Sequence, residues 1–195
     1  MRRVIVTNNV TLDGVMQAPG RPDEDERGGF RHGGWSLPYN DDVKGREMAH
    51  GMARESELLF GRRTYEDFFS VWPNRKNNPF TAVLDNSRKY VVSRTLQEPL
   101  PWKNSTLLSS DAAQAVADLK AQPGPDLVIL GRGELIRSLM PAGLIDDLIL
   151  MIHPLVLGSG QRLFDDAGAL AKLALVKCVP TTTGVIIATY AATPT

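Results

Sequence analysis

Short apolar runs alternate with amphipathic stretches along most of this chain. Val4-Ile5-Val6 is an apolar run ended by the Asp13-Gly14 turn signal, and it predicts a buried strand. Leu58-Leu59-Phe60-Gly61, Tyr90-Val91-Val92-Ser93, Thr106-Leu107-Leu108 and Asp126 to Leu130 predict further short strands. Between them apolar positions recur at helical spacing. Asp41 and Asp42 supply N-cap chemistry for a helix to about Glu55, with Met48, Ala49, Met52 and Ala53 on one face. Arg62 to Phe69 predicts a short helix. Ser110 is the expected cap of a helix carrying Ala112, Ala115, Val116 and Leu119, and Glu134 to Met140 predicts a helix stopped by Pro141. The last third is strand-like, over Leu148 to Ile152, Ala174 to Val179 and Val185 to Tyr190.

Strand-helix-strand units followed by a β-rich tail predict an α/β fold, with a mostly parallel sheet and antiparallel strands at one edge. The length of 195 residues suits one domain over 1–195, and no repeat or linker divides it. Residues 17–35 stand apart, with Pro19, Gly20, Pro22, a run of charges and Gly28, Gly29, Gly33 and Gly34. Such a segment can bury little, so a mobile surface loop is expected, a lid over a ligand site being one option.

The apolar share of 43% is enough for a sizeable core, and 22 basic residues balance 22 acidic ones. No global field therefore favours nucleic acid or an anionic membrane surface. A single cysteine, Cys178, excludes an intrachain disulfide and a cysteine zinc cluster, and its apolar setting predicts a buried thiol. No stretch approaches the roughly 20 apolar residues of a membrane helix. The N-terminus has no signal-peptide pattern, so the expected location is cytoplasmic. His32 and His50 are isolated and His153 closes a strand, so no metal is expected.

Chemistry is concentrated at three junctions that follow predicted strands: Gly61-Arg62-Arg63-Thr64-Tyr65, Ser93-Arg94-Thr95 and Gly131-Arg132-Gly133-Glu134. In open α/β sheets ligands bind beyond the carboxyl ends of strands, where helix N-termini offer free N–H groups. Glycine lets backbone approach a phosphate, hydroxyls bond its oxygens and arginines neutralise its charge. Three such junctions suit a dinucleotide with a pyrophosphate and a further phosphate. A Rossmann fingerprint is absent, because Ile136 stands where its third glycine belongs. Asp13, at the end of the first strand, is the candidate to orient a ligand or assist a proton transfer, although Asp-Gly is also a common turn.

The residues also carry a family resemblance. Gly61-Arg62-Arg63-Thr64-Tyr65 resembles the G-R-x-T-W segment of dihydrofolate reductases. Leu144-Ile145-Asp146-Asp147, Pro154 to Gly160 and Arg162-Leu163-Phe164 resemble the reductase domain of the riboflavin-pathway enzyme RibD. With Val4 to Gly14, Gly34-Trp35-Ser36-Leu37-Pro38-Tyr39 and Gly131 to Leu135, the resemblance runs from Met1 to about Tyr190. It implies a dihydrofolate-reductase-like fold, with a mixed, mostly parallel eight-stranded sheet, flanking helices and NADPH across the strand ends. It further implies that Arg62 meets the adenosine 2′-phosphate with Arg63 beside it, and that Thr64 bonds the pyrophosphate. Ser93, Arg94 and Thr95 would line the adenosine side, and Gly131, Arg132, Gly133, Glu134 and Leu135 the pyrophosphate and nicotinamide side. Asn40 would face a small heterocyclic substrate, pterin- or 5-amino-6-ribosylaminouracil-like, and Trp35 would cover that ring or the nicotinamide, or else simply anchor the loop. The RibD reductase domain also implies a homodimer, with the apolar C-terminal strands available as interface.

Departures from the family pattern narrow the activity. Asn40 stands where folate reductases carry the acid that holds the pterin, which speaks against folate reduction; Asp41 or Asp42 could reach the ring instead, although both are equally good helix caps and capping is the expected role. Arg132 replaces the second glycine of a Gly-Gly pair whose cis peptide would cost a non-proline residue about 3 kcal/mol. The glutamate that riboflavin-pathway reductases carry near Gly131 is missing, as is the zinc motif of the deaminase half. The expectation is an NADPH-dependent reductase; the alternative is a protein that binds a nucleotide or heterocycle without turnover.

Overall fold

The fold comes from a computed structural model that describes residues 1–76, 78–131, 133–164 and 170–193. Its eight strands are β1 (Val4–Thr11), β2 (Ser56–Gly61), β3 (Lys89–Val92), β4 (Ser105–Leu108), β5 (Asp126–Leu130), β6 (Asp147–His153), β7 (Leu173–Pro180) and β8 (Ile186–Ala192). They form one sheet in the order β4-β3-β2-β5-β1-β6-β8-β7. Pairing is parallel from β4 through β6 and antiparallel for β6–β8 and β8–β7. The predicted mixed sheet with its antiparallel C-terminal edge is what forms.

Alternation along β1 sorts the two faces of the sheet. Val4, Val6 and Val10 point to one side and meet Leu127, Ile129, Leu148 and Leu150 in the main core. Helices α4 (Ala112–Ala121) and α5 (Gly133–Leu139) close that face with Val116, Leu119, Ile136 and Leu139. Each such fully buried aliphatic side chain contributes about 1.5–3 kcal/mol. The opposite face is covered in two halves. Over β2 and β3, α2 (Arg62–Val71) and α3 (Pro79–Asn86) supply Tyr65 and Leu84 to a cluster with Leu58, Phe60, Val91 and Trp102. Over β6 and β8, Met151, Val185 and Ile187 pack with Tyr39.

Helix α1 (Asp42–Met52) spans these halves. Its cap, Asp41, accepts from Thr182 in the β7–β8 turn, and Met52 joins the Phe60 cluster. Between them Ile5, Thr7 and Asn9 of β1 are only half-buried, although β1 lies inside the sheet. The sheet face over β1 is therefore a groove, flanked by α1 and α2.

Several local expectations change. The cap of α4 is Asp111, whose carboxylate accepts from the amides of Ala113 and Gln114 at 3.0 and 3.2 Å, and not Ser110. Helix α1 ends at Met52, and Met48 and Ala49 face solvent, because its one buried residue is Lys44. Helix α3 had no predicted counterpart. Cys178 is exposed, because β7 is the edge strand and Ala174 to Cys178 lie open to solvent. Segment 17–35 is packed, with Ala18, Phe30 and Trp35 buried together with Val15. Gln17 ties it down by donating to the carbonyls of Asp25 and Arg27 and accepting from the amide of Gln161. Three apolar side chains of its own, packed on Val15, and one buried glutamine compensate for its many glycines. Among the described residues no helix is long and apolar enough to cross a membrane.

Candidate functional site

The strand order places the three junctions side by side. β3, β2 and β5 are consecutive and parallel, so Ser93, Gly61 and Gly131 leave the same edge of the sheet. Two strand spacings, roughly 10 Å, separate the outer pair. The chain reverses direction of winding between β5 and β1, with α1 on one face and α5 on the other. Such a switch point opens a crevice at the strand ends.

At the β2 junction, Gly61 is the N-cap of α2 and contributes no side-chain cap. The first turn of α2 thus presents backbone donors of the kind that hold phosphate. Thr64 is buried, and Gly131 reaches it from β5: with φ at +87°, an added Cβ would lie 2.8 Å from Thr64 Cγ2. Only glycine accepts both that backbone and that approach. Asn8 braces the same turn, its Nδ2 donating to the Gly131 carbonyl at 2.8 Å.

Arg62 and Arg63 are partly exposed. Arg62 pairs with Glu66 at 3.1 Å and Arg63 with Glu134 at 3.2 Å, the latter linking the β2 and β5 junctions. Exposed pairs of this kind contribute at most about 1 kcal/mol, so an incoming phosphate can displace either carboxylate. At the β3 junction, the buried Ser93 Oγ accepts from the amides of Thr95 and Leu96, both at 3.1 Å, which sets a tight turn and leaves Arg94 exposed. Glu134 is exposed on the first turn of α5. Leu135 is different: its side chain is buried in the main core and packs beneath Gly61, so a cofactor could meet only its backbone. Arg132 lies outside the described residues.

Asp13 has a structural job that its position in the sequence hides. Its carboxylate accepts from Thr11 Oγ1 at 2.5 Å and from the amides of Gly158 and Leu157 at 2.8 and 3.3 Å. Burial pushes its carboxyl up, but these hydrogen bonds outweigh burial and hold it below the ordinary range. Held as an ionised acceptor, it is poorly suited to donate a proton. With Arg162 Nε donating to the Asp13 carbonyl and a bridge between Val15 and Arg162, it clasps the 154–163 loop to the end of β1. The two family motifs on either side of the clasp thus hold each other.

Trp35 is an anchor as well. It is buried, donates to the Gln17 carbonyl at 2.6 Å, and lies edge-on to His153 with ring centroids 5.0 Å apart. Asn40 is exposed just before α1. Behind Trp35 is a group that sequence reasoning did not assemble. His153 is fully buried between Trp35 and Tyr39, and its Nε2 lies 3.4 Å from Lys44 Nζ. Its Nδ1 lies 3.0 Å from the Met151 carbonyl, which makes Nδ1 the protonated nitrogen and Nε2 the acceptor. Burial, and then the Lys44 charge, push the imidazole down to about 4. Burial likewise lowers Lys44, with Asp41 opposing. Among the described residues no cluster of three or more metal-ligating side chains occurs.

The family model of the RibD C-terminal domain matches residues 2–187. The chain is 27% identical over 194 residues to the uncharacterised protein YyaP of Bacillus subtilis, covering 97% of this chain and 94% of that one. Among solved structures, a Shewanella protein assigned by name to riboflavin biosynthesis superposes with a TM-score of 0.72 at 23% identity, over 98% and 99% of the two chains. A Thermotoga maritima diaminohydroxyphosphoribosylaminopyrimidine deaminase/5-amino-6-(5-phosphoribosylamino)uracil reductase superposes at 0.62 with 14% identity, over 98% of this chain and 57% of that one. Dihydrofolate reductase of Enterococcus faecalis, solved with NADP(H), gives 0.59 at 17% identity, over 98% and 97% of the two chains. At these identities the superpositions establish the fold.

Proposed function

This chain belongs to the RibD C-terminal domain family, a family of reductases, and we propose that it is an NADPH-dependent oxidoreductase that passes a hydride to a small heterocycle. The observation that carries this reading is the adjacency of β3, β2 and β5, which lines up three phosphate-competent junctions along one sheet edge. In this reading Arg62 and Arg63 neutralise the adenosine phosphate, and Thr64 with the first-turn amides of α2 holds the pyrophosphate. The Ser93-Arg94-Thr95 turn flanks the adenosine, and Gly131 to Glu134 face the nicotinamide end. Bound there, NADPH would supply the hydride. The substrate occupies the groove over β1, next to the Trp35 wall and the start of α1. A small cyclic C=N or C=O compound, pterin- or aminouracil-like, fits such a groove better than a polymer.

The cofactor arm is tested by calorimetric titration of the wild type and Arg62→Ala with NADPH and NADH. Expected is clear preference for NADPH and a loss of about 1.5–3 kcal/mol in the variant, the range for a charge-assisted hydrogen bond. Equal affinity for both nucleotides, or no binding, defeats the reading. Binding without turnover is the second reading, favoured by Asn40 in the acid's position and by the engaged carboxylate of Asp13. Steady-state NADPH oxidation with candidate heterocycles separates the two. The reading also includes a second copy of this chain as partner, packed on the edge strand β7, where Leu175 and Val176 are exposed.

A further inference from the structure

Helix α1 buries a single side chain, and that side chain is a lysine. Lys44 is 4% exposed, and among the described residues its ammonium has one hydrogen-bond partner, the neutral Nε2 of His153. No carboxylate among the described residues is within ion-pair distance of it. The nearby Asp41 has both oxygens committed, one to the Lys44 amide and the other to the amide and hydroxyl of Thr182. A buried ammonium on a neutral acceptor costs several kcal/mol unless something compensates it. Two of its three N–H donors remain for another acceptor.

A second observation points into the same place. Asn9 Oδ1 is buried without a hydrogen-bond partner. Asn8 faces Met16 and the Gly131 carbonyl on the main-core side, so by strand alternation Asn9 faces the groove. In the parallel β1–β6 register Asn9 stands opposite Met151, and Thr11 opposite His153. Asn9 and His153 therefore share one sheet face, one diagonal step apart on neighbouring strands. The unsatisfied acceptor and the uncompensated donor sit along the seam of β1 and β6, beside the half-buried Thr7.

We infer that Lys44, oriented by His153, is a ligand-binding cation of the groove over β1, and that it works with Asn9 on a ligand edge bearing both an acceptor oxygen and an N–H. The ammonium donates to the ligand oxygen and the Asn9 carboxamide oxygen accepts from the ligand N–H. An oxo-heterocycle with a cyclic amide edge presents that pair, whereas a purely apolar ligand leaves both groups uncompensated. The assignment rests on the groove being the substrate side of the proposed reductase, and it gives a role to the lysine at the one buried position of α1.

The test uses lumazine, a fluorescent pteridinedione with cyclic amide edges, titrated into the full chain with and without NADP+, together with melting curves of the free proteins. In the wild type lumazine binds. In Lys44→Met affinity falls about tenfold or more, while the free variant melts at a higher temperature because a buried charge has gone. Asn9→Ala weakens lumazine several-fold, and NADP+ affinity is unchanged in both variants. Wild-type protein that does not bind lumazine overturns the inference. So does Lys44→Met protein that binds it undiminished, or that melts lower than the wild type. If lumazine binding depends on Lys44 but NADP+ does not bind, the inference stands and the reductase reading falls.

Discussion

His153 and Lys44 illustrate how single residues depart from their usual behaviour. A histidine at the end of a strand and a lysine in the first turn of a helix are each unremarkable in sequence. Brought to 3.4 Å in a buried setting, both are pushed toward the neutral form by burial, and the Lys44 charge lowers the histidine further. The histidine is lowered from 6.5 to about 4, so the unfolded chain takes up its proton at higher pH than the folded one. Stability is therefore predicted to be intact above about pH 6.5 and lost progressively as pH falls toward 4, by an amount on the order of 3 kcal/mol. Denaturant unfolding of the wild type and His153→Gln across that window checks this. The wild-type curve should fall relative to the variant, and parallel curves would contradict the shift. Lys89 is a counter-example, a buried lysine fully used by structure. Its Nζ donates to the carbonyls of Asp85, Ser87 and Lys103 and lies 4.5 Å from the Trp102 ring centre, leaving no donor for a ligand.

Elements were legible where their signals were local. Strand runs and helix spacing sufficed to find seven of the strands within a residue or two, and β1 was found at its apolar start, Val4 to Val6. Caps were harder, because Ser110 and Asp111 are both capping residues and only backbone geometry chooses between them. Asp111 caps α4, so Asp111→Ala should cost about 0.5–2 kcal/mol while Ser110→Ala stays within about 0.5 kcal/mol. Urea unfolding of the two variants decides it, and the reverse ranking would restore the serine. Helix α3 went unseen although Asn78 caps it and Pro79 begins it, because Asn-Pro after Asn77 reads equally well as a turn. Loop 17–35 failed for another reason. Its glycines and charges were visible, but its partners, Val15, Leu155 and Leu157, lie on other segments.

At the scale of the molecule, the edge of the sheet is where assembly would occur. β7 has β8 on one side and no strand among the described residues on the other. Leu175 and Val176 are 58% and 65% exposed on it, an arrangement that isolated proteins usually blunt with charge. If a second copy covers this edge, the wild type elutes as a dimer in light-scattering chromatography and Val176→Lys shifts it to monomer with its helix and sheet content intact. A monomeric wild type rejects the dimer. Lys177 already pairs with Glu47 at 2.5 Å, so the central part of β7 is also tied to α1, and a contact there would bear on the groove.

By itself the sequence determined where the strands and all the longer helices but α3 begin, that the sheet is mostly parallel with an antiparallel end, and which three junctions could hold phosphate. Those properties follow from periodicity, apolar runs and turn chemistry over a few neighbouring residues. The tertiary structure decided which strands are neighbours. β5 inserts between β1 and β2, and only that insertion sets Gly131 against Thr64 and aligns the junctions. It also decided what is buried. Cys178 is exposed because β7 is an edge, and Lys44 is buried because α1 lies over a histidine 109 residues away. Burial of a polar group depends on long-range packing, which local pattern does not encode.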